Sequence, residues 1–251
     1  MIQLKSAREM KLMHQAGLLV WEAHQIVGSM IRPGVTTKEL DTVVDQFLVG
    51  HGATPCFKGF PGPVPFPAAT CISINEEVVH GIPGNRKILD GDLVSVDIGA
   101  KLNGWCGDAA VTHAVGDMHP KRRLLWNITR ETLTLAVYLL GVKSYWSEVA
   151  AEMTALVEGY GLSMVEEFTG HGIGREMHEE PTVPNFAAKP DFRLEPGLVI
   201  AIEPMVNLGS KGTRCLSDQW TQVTTDGKPS AHFEHTVALT KDGPWILTQE
   251  N

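Results

Sequence analysis

The amino-acid sequence repeats one structural plan, and this internal repeat constrains the fold more than any other feature. Two helical patterns are followed by His-Gly-Ile and by a β-rich run that ends in an acid, first within roughly residues 1–120 and again within roughly 121–251. No linker rich in Gly and Ser separates the copies. The repeat therefore predicts a single domain, 1–251, made of two related α+β halves. The alternative is that any chain of paired helices followed by strands shows such echoes.

Capping residues predict where the helices begin and end. Ser6-x-x-Glu9 has the form of a capping box, and the break at Arg32-Pro33-Gly34 ends the helix that follows it. Thr37 is expected to cap the second helix. In the second copy a helical pattern runs from about 121 to 140, and Ser147 is expected to cap the next helix.

The composition argues against several classes of function. The 251 residues carry a formal charge of −8 and no basic run, so we expect no nucleic-acid partner. No apolar stretch approaches the roughly 18 residues of a membrane span, and the polar start lacks the apolar core of a signal peptide. The four cysteines form no C-x-x-C pair. We therefore predict a reduced, cytoplasmic protein that binds no membrane.

A glycine-rich stretch carries two histidines. His171 and His178 lie seven residues apart within 169–181, and glycines flank the first of them. Each glycine costs about 1 kcal/mol relative to alanine inside a helix. The stretch therefore predicts a loop, and not the helix on which zinc peptidases place a His-Glu-x-x-His motif.

Acidic residues interrupt apolar β-like runs in the first half. Asp97 lies within the run 93–98, and a four-residue loop over 101–104 would place it directly opposite Asp108 on the next strand. Like charges so close repel, and an unpaired buried carboxylate is costly. The hairpin alone leaves three explanations open: a bound metal ion, a proton shared between the acids, or a register slip that separates them.

The second half adds acids in the same setting. Glu203 ends a strand-like run, and Glu234 lies inside another. A lone glutamate usually faces solvent, but four carboxylates with His171 would balance the charge of two divalent cations. This oxygen-rich set suits Mn²⁺, Fe²⁺, Co²⁺ or Zn²⁺, and such a site would activate a water as nucleophile. His232 and His235 remain alternative ligands beside Glu234.

At this point the motifs identify a family. Over essentially its whole length the sequence resembles the type I methionine aminopeptidases in their short bacterial form. The resemblance implies the pita-bread (creatinase/aminopeptidase-like) fold, an α+β architecture with two pseudo-twofold halves, an antiparallel-rich sheet and outer helices. The matching segments are Cys71-Ile72-Ser73-Ile74-Asn75-Glu76, His80-Gly81-Ile82-Pro83, Gly91-Asp92 through Val96-Asp97, Gly107-Asp108, Gly170-His171-Gly172-Ile173-Gly174, His178-Glu179-Glu180-Pro181, Ile202-Glu203-Pro204-Met205 and Phe233-Glu234-His235-Thr236.

The resemblance also implies a reaction and a cofactor. The reaction is hydrolysis of the first peptide bond, which removes N-terminal methionine and prefers a small second residue. The substrates would be the N-termini of peptides and nascent proteins at the ribosome, and the enzyme would be a monomer. Two divalent ions (Co, Mn, Fe or Zn) would be held by Asp97, Asp108, His171, Glu203 and Glu234.

Further roles follow from the same resemblance. His80 and His178 would face the scissile bond without binding metal, and Glu203 would also move a proton. For His178 the alternative is an ordinary loop histidine, and for Cys71 and Met177 it is a plain core position. The methionine pocket would be built from Phe66, Cys71, Met177 and Trp220.

Two features depart from the family pattern and bear on the shape of this pocket. Residues 59–67 are rich in proline, so the family's aromatic-Pro signature aligns either at Phe60-Pro61 or at Phe66-Pro67. The spacing to Cys71 favours Phe66. Met177 stands where relatives commonly carry an aromatic residue.

Two other functions would use the same fold. One is cleavage of X-Pro bonds, although such peptidases normally carry an extra N-terminal domain for which 251 residues leave no room. The other is a binding protein without activity. Relatives of that kind tend to lose metal ligands, whereas all five are present here.

Overall fold

The long helices occur as two pairs, one in each half of the chain. The computed structural model describes residues 2–189 and 191–250. Within these ranges, no helix combines the length and the apolar character that crossing a membrane requires. The helices are α1 Ala7–Met30, α2 Thr37–Gly50, α3 Pro120–Leu140 and α4 Trp146–Gly159.

One predicted helix cap is confirmed and two are wrong. Ser6 forms the capping box of α1 with Glu9. Thr36, and not Thr37, caps α2, because the Thr36 hydroxyl accepts from the Glu39 amide while the Thr37 side chain is buried and bonds elsewhere. Ser147 lies inside α4, whose N-cap position is Tyr145, and a distant carboxylate, that of Asp191, accepts from the Ser147 amide at 2.9 Å.

Short strands make up the rest of the regular structure. In the first half they are β1 Thr54–Pro55, β2 Thr70–Ile74, β3 Glu77–Val79, β4 Leu93–Leu102 and β5 Trp105–Ala114. In the second half they are β6 Ser163–Met164, β7 Gly170–Gly172, β8 Glu179–Val183, β9 Val199–Ile202, β10 Met205–Asn207, β11 Thr213–Cys215, β12 Gln222–Thr224, β13 Ser230–His232, β14 Glu234–Thr240 and β15 Gly243–Ile246.

One large sheet crosses both halves. Its strand order is β1-β4-β5-β14-β9-β7-β8, with β2 also paired to β4 and β15 to β14. Every pairing recorded in this sheet is antiparallel. Two three-stranded sheets, β13-β10-β6 and β11-β12-β3, flank it. The halves meet where β5 pairs with β14, so the middle of the sheet is built from both copies of the repeat.

Each helix pair packs on its own half of the large sheet. One apolar cluster joins α1 and α2 to β2, β4 and β5 through buried side chains such as Val20, Leu40 and Val96. A second cluster joins α3 and α4 to β9 and β14 through side chains such as Leu125, Met153 and Ile200. This arrangement confirms the predicted α+β fold class, with antiparallel strands inside and helices outside.

The predicted register of the β4–β5 hairpin is wrong by two residues. Asn103 and Gly104 alone form the turn, both with positive φ (51° and 79°), so the four-residue loop does not form and Leu102 pairs with Trp105. A two-residue turn of this kind matches the right-handed twist of the strands. Asp108 consequently lies opposite Gly99 and not opposite Asp97. A shift of two keeps both acids on one face of the sheet.

The backbone of α1 lies directly against the sheet at a glycine. A Cβ atom at Gly17 would stand 2.1 Å from the carbonyl oxygen of Leu247, and one at Gly107 of β5 would stand 2.8 Å from the Gly17 nitrogen. Gly28 lies in the same helix, but its nearest foreign atom would be 3.5 Å away, on His113. At Gly17 the backbone of Leu247 leaves no room for a methyl group. At Gly28 a methyl group would make only an ordinary contact with the His113 side chain.

This difference predicts opposite effects of the same substitution. Gly17→Ala should lower the free energy of unfolding by about 1–3 kcal/mol, because backbone must move to admit the methyl group. Gly28→Ala, the matched control, should raise it by about 0.5–1 kcal/mol through helix propensity. Urea unfolding followed by circular dichroism measures both. A stabilising Gly17→Ala would contradict the close approach.

Candidate active site

The strands place three predicted acids on one face of the large sheet. Ala110 of β5 pairs with Asp97 on one side and with Glu234 on the other, so these residues form one row across three strands. Asp108 precedes Ala110 by two positions and therefore points to the same face. Because Ala110 has a small side chain, the space between the carboxylates stays open.

A second row brings the histidine to the same face. The Thr236 hydroxyl bonds to the backbone of Asp108, at 3.0 Å to the nitrogen and 2.8 Å to the oxygen. Thr236 pairs with Ala201, which in turn pairs with His171. Paired residues share a face, so His171 stands on the face of Asp108. Glu203 follows Ala201 by two positions and joins them.

The functional groups converge on one centre. Ligand atoms of Asp108, His171 and Glu234 all lie within 4.8 Å of one another. His171 Nε2 lies 3.7 Å from Asp108 Oδ2 and 3.6 Å from Glu203 Oε1. Asp97 lines the same pocket as these four groups. The structure thus brings together the five residues for which metal binding was predicted.

Burial and mutual repulsion make these carboxylates hard to ionise. Burial raises the pKa of Asp108 to about 8. Burial, and then the charge of Asp108, raise the pKa of Asp97, Glu203 and Glu234 well above the usual range. Asp108 and Glu234 are only 3% and 2% exposed. Ionised together, the four acids would need a counter-charge within the cluster.

The residues present fit divalent metal ions. Buried oxygen atoms of Asp97, Asp108 and Glu234 have no hydrogen-bond partner. Among the described residues, the ion pairs recorded for these acids reach only histidines, never lysine or arginine. Unpaired buried acceptors grouped around one imidazole are what a divalent cation requires. The cluster is therefore suited to bind divalent metal.

One histidine tautomer suits ligation. His171 Nδ1 lies 3.0 Å from the Gly172 carbonyl oxygen, which can only accept, so Nδ1 carries the proton. The free electron pair of Nε2 then faces the acids. Burial lowers the pKa of His171, which keeps the ring neutral. Of the two alternatives, His235 turns away and its ring bonds to Thr248, whereas His232 is buried with Nε2 3.9 Å from Glu203.

A pocket of about 300 Å³ opens above the acids. Six residues were predicted from the sequence to contact the substrate, and one of them, Met177, does not line this pocket. Met177 instead packs with Met10 and Met13 in the core and lines a neighbouring depression. Its long side chain reaches across Gly99, where a Cβ would stand 2.4 Å from the Met177 methyl group. Lining the pocket as predicted are His80, His178, Phe66, Cys71 and Trp220.

Aromatic rings hold both pocket imidazoles. His178 contacts Phe60 edge-on, with ring centres 5.3 Å apart, and contacts His171 at 4.3 Å. His80 contacts Phe168 at 5.5 Å and Trp220 at 6.3 Å. Burial lowers the pKa of both His80 and His178 to about 4. Both rings are therefore neutral at physiological pH and can donate one hydrogen bond.

The proline-rich segment supplies both aromatic candidates. Phe60 and Phe66, one from each alignment of the aromatic-Pro signature, both line the pocket. The Phe66 amide donates to the Phe60 carbonyl at 3.0 Å, which pinches the loop. Trp220 donates from its indole to the Val64 carbonyl at 2.8 Å, which fixes the loop to the segment that carries Trp220.

Sequence reasoning missed several pocket residues. Phe57 and Phe168 carry no motif, and their approach depends on loops that pack from distant parts of the chain. His232 and His235 were both open as alternative ligands beside Glu234. Strand alternation around Glu234 would have assigned His232 and Glu234 to one face and His235 to the other. The missed lining residues include Phe57, Val79, Glu167, Phe168, Thr169 and Met205.

A mixed α+β fold with carboxylates and one imidazole at the floor of a pocket defines a class, the metal-dependent hydrolases. The sequence profile of Metallopeptidase family M24 matches residues 11–241. A methionine aminopeptidase from Clostridium perfringens is 46% identical over 250 residues, covering 99% of each chain. Methionine aminopeptidase 1 from Bacillus subtilis is 44% identical, covering 99% of this chain and 100% of its own.

Solved structures agree. The crystal structure of a methionine aminopeptidase from Thermotoga maritima superposes with a TM-score of 0.95 at 40% identity, covering the whole of both chains. The chain belongs to the methionine aminopeptidases of metallopeptidase family M24. The pita-bread fold and the family predicted from the motifs are thereby confirmed.

The raised carboxylate pKa values predict how the metal-free protein responds to pH. An acid whose pKa is higher in the folded state keeps its proton there, so its contribution to stability is lost as pH rises towards about 8. Buried histidines act oppositely, but only below their ordinary pKa of 6.5. From pH 6.5 to 8, each retained proton should therefore cost about 1.4 kcal/mol of unfolding free energy per pH unit.

Urea unfolding of chelator-treated protein at three pH values in this window measures the slope. Excess Mn²⁺ is the control, because metal binding deprotonates the acids and should remove the decline. Constant or increasing stability in the chelated protein would contradict the burial of protonated acids.

Proposed function

We propose that this chain hydrolyses the first peptide bond of peptides and proteins, removes the N-terminal methionine and prefers a small second residue. The observation that carries this proposal is the cluster of acids and one imidazole at the floor of a mostly apolar pocket. Membership of the methionine aminopeptidases supports the choice of substrate. The apolar wall suits the thioether side chain of methionine, since sulfur packs favourably on aromatic rings.

The residues that would hold metal come from both halves of the chain. Two divalent ions, of Co, Mn, Fe or Zn, are proposed, because four carboxylates would then be neutralised. Bound ions supply Lewis acidity to the peptide carbonyl and lower the pKa of water, so that water attacks at neutral pH. The proposed ligands are Asp97, Asp108, His171, Glu203 and Glu234.

The neighbouring side chains would perform the proton and charge transfers. Glu203 lines the pocket with the other acids, and its carboxylate can accept a proton from the attacking water and deliver it to the leaving amine. The neutral His178 ring can donate a hydrogen bond to the carbonyl oxygen as that oxygen gains charge. His80, which also lines the pocket, would orient the peptide.

The pocket residues would select the methionine side chain. Phe66, Cys71 and Trp220 form one wall, with Phe66 and Trp220 in edge-on contact at 5.2 Å. Phe57 and Phe60 also line the pocket, whereas Met177 does not. We also propose that the chain acts as one catalytic unit and as a monomer, in the cytoplasm, on nascent chains at the ribosome, without binding nucleic acid or membrane.

Substrate choice tests this function directly. Protein stripped of metal and reloaded in turn with Mn²⁺, Co²⁺, Fe²⁺ and Zn²⁺ should release methionine from Met-Ala-Ser and leave Ala-Pro-Ala intact. Mass spectrometry of the products measures both reactions. Cleavage of Ala-Pro-Ala alone would indicate an X-Pro peptidase, and no cleavage with any metal would indicate a binding protein.

Paired histidine variants test the proposed ligand set. His171→Gln should lower both bound metal and kcat/KM by more than the roughly 10- to 100-fold that loss of an outer hydrogen-bond partner costs. His235→Gln is the matched control, because that ring faces the other side of β14, and it should retain both. Metal content by mass spectrometry and hydrolysis of Met-Ala-Ser are the measurements. Metal loss in the control alone would overturn the assignment.

A further inference from the structure

A buried ion pair ties the start of the chain to the active-site loop. Lys5 Nζ lies 2.6 Å from a carboxylate oxygen of Glu179, and the two side chains are only 5% and 14% exposed. The residues are 174 positions apart in the sequence. Burying two charges is costly unless each is well paired. The geometry therefore calls for a reason beyond general stability.

Glu179 organises the loop that precedes it. Its second carboxylate oxygen accepts hydrogen bonds from the amides of Arg175 at 2.7 Å and Glu176 at 3.2 Å. Gly174 makes room for the arrangement, since a Cβ there would stand 2.7 Å both from Glu179 Oε1 and from Lys5 Cε. Burial alone would raise the pKa of Glu179, but the hydrogen bonds from Lys5 and the two amides outweigh burial and lower it. The carboxylate is thus held ionised at the centre of the loop.

The loop carries His178 into the pocket. His178 directly precedes Glu179, and its ring contacts Phe60 and His171 only through ring faces and edges. In the described part of the chain no side chain or backbone group is recorded in a hydrogen bond with this ring. The backbone of the loop must therefore set where the ring lies. Whatever fixes the loop also fixes His178.

We propose that Lys5 and Glu179 form a positioning pair for His178. Lys5 keeps the Glu179 carboxylate charged and in place, the carboxylate closes the loop over 174–179, and the closed loop aims the imidazole at the substrate carbonyl. The assignment rests on the role of His178 given above. It makes the N-terminal segment part of the catalytic apparatus, although Lys5 itself does not line the pocket.

The same loop offers a matched control. Lys101 pairs with Glu176 at 3.2 Å, but these side chains are 34% and 74% exposed. Exposed pairs contribute little, because water screens them. Removing either lysine deletes one cation that touches the loop. Only the buried pair reaches the carboxylate that closes it.

Steady-state kinetics on Met-Ala-Ser with metal-loaded protein tests the proposal. Lys5→Met should lower kcat by about 10- to 100-fold with little change in KM, because a misplaced donor weakens the transition state more than binding. Lys101→Met should change kcat by less than about twofold. Glu179→Gln preserves the shape of the side chain and should lower kcat by a similar factor. It therefore tests the proposal even if Lys5→Met does not fold.

A double-mutant cycle separates positioning from general destabilisation. In a His178→Ala background, Lys5→Met should cause no further loss of kcat beyond about twofold, because the ring through which it acts is gone. An undiminished loss in that background would overturn the proposal. So would a Lys5→Met protein that keeps its kcat and loses only thermal stability.

A measurement independent of activity completes the test. The ring C–H signal of His178 in a ¹H–¹³C spectrum should shift in Lys5→Met and stay in place in Lys101→Met. An unchanged signal in both would refute positioning, whatever the kinetics show. If the unmodified protein fails to cleave Met-Ala-Ser, the proposed function is wrong, and the spectrum still decides whether the pair positions the ring.

Discussion

Repulsion among buried carboxylates is the constraint on which the rest of the structure depends. Asp108 and Glu234 are almost inaccessible to water, and Asp97 and Glu203 stand beside them. Without a counter-charge the cluster must keep protons, and burial raises the pKa of Asp108 to about 8. Buried carboxylate oxygens of Asp97, Asp108 and Glu234 also have no hydrogen-bond partner. So many buried carboxylates are costly unless a counter-charge neutralises them, and bound divalent cations would supply that charge.

The sheet makes this concentration of charge possible. Asp97 and Asp108 come from the first half of the chain and the other ligand candidates from the second, and β5 and β14 join the halves between them. Small residues, Gly99 and Ala110, occupy the positions that separate the acids. The repeated helix pairs pack outside and leave this face of the sheet to the site. The candidate site thus lies where the two halves of the chain meet in the sheet.

Much of this could be read from the sequence, because its signals are local. The repeat, the capping box at Ser6 and the strand-like runs that contain acids all follow from neighbouring residues. The predicted hairpin register was wrong because it assumed a four-residue turn over 101–104. The two-residue turn that forms instead shifts every residue pair between the two strands by two positions. Because a shift of two positions keeps Asp97 and Asp108 on one face of the sheet, the two acids still lie close together as predicted. Met177 was misplaced because rotamer and packing, not spacing, direct a long flexible side chain.

By itself the sequence determined the composition of the candidate site, which is its acids and the imidazole of a glycine-rich stretch, and the family to which the chain belongs. These are properties of residue type and order. Tertiary structure alone decided that Phe66 packs against Trp220 in the pocket wall, that Phe168 packs against His80, and that Lys5 reaches Glu179. Each depends on segments far apart in the chain meeting at a distance of a few ångströms. Such contacts are set by the packing of whole elements, and local sequence carries no record of them.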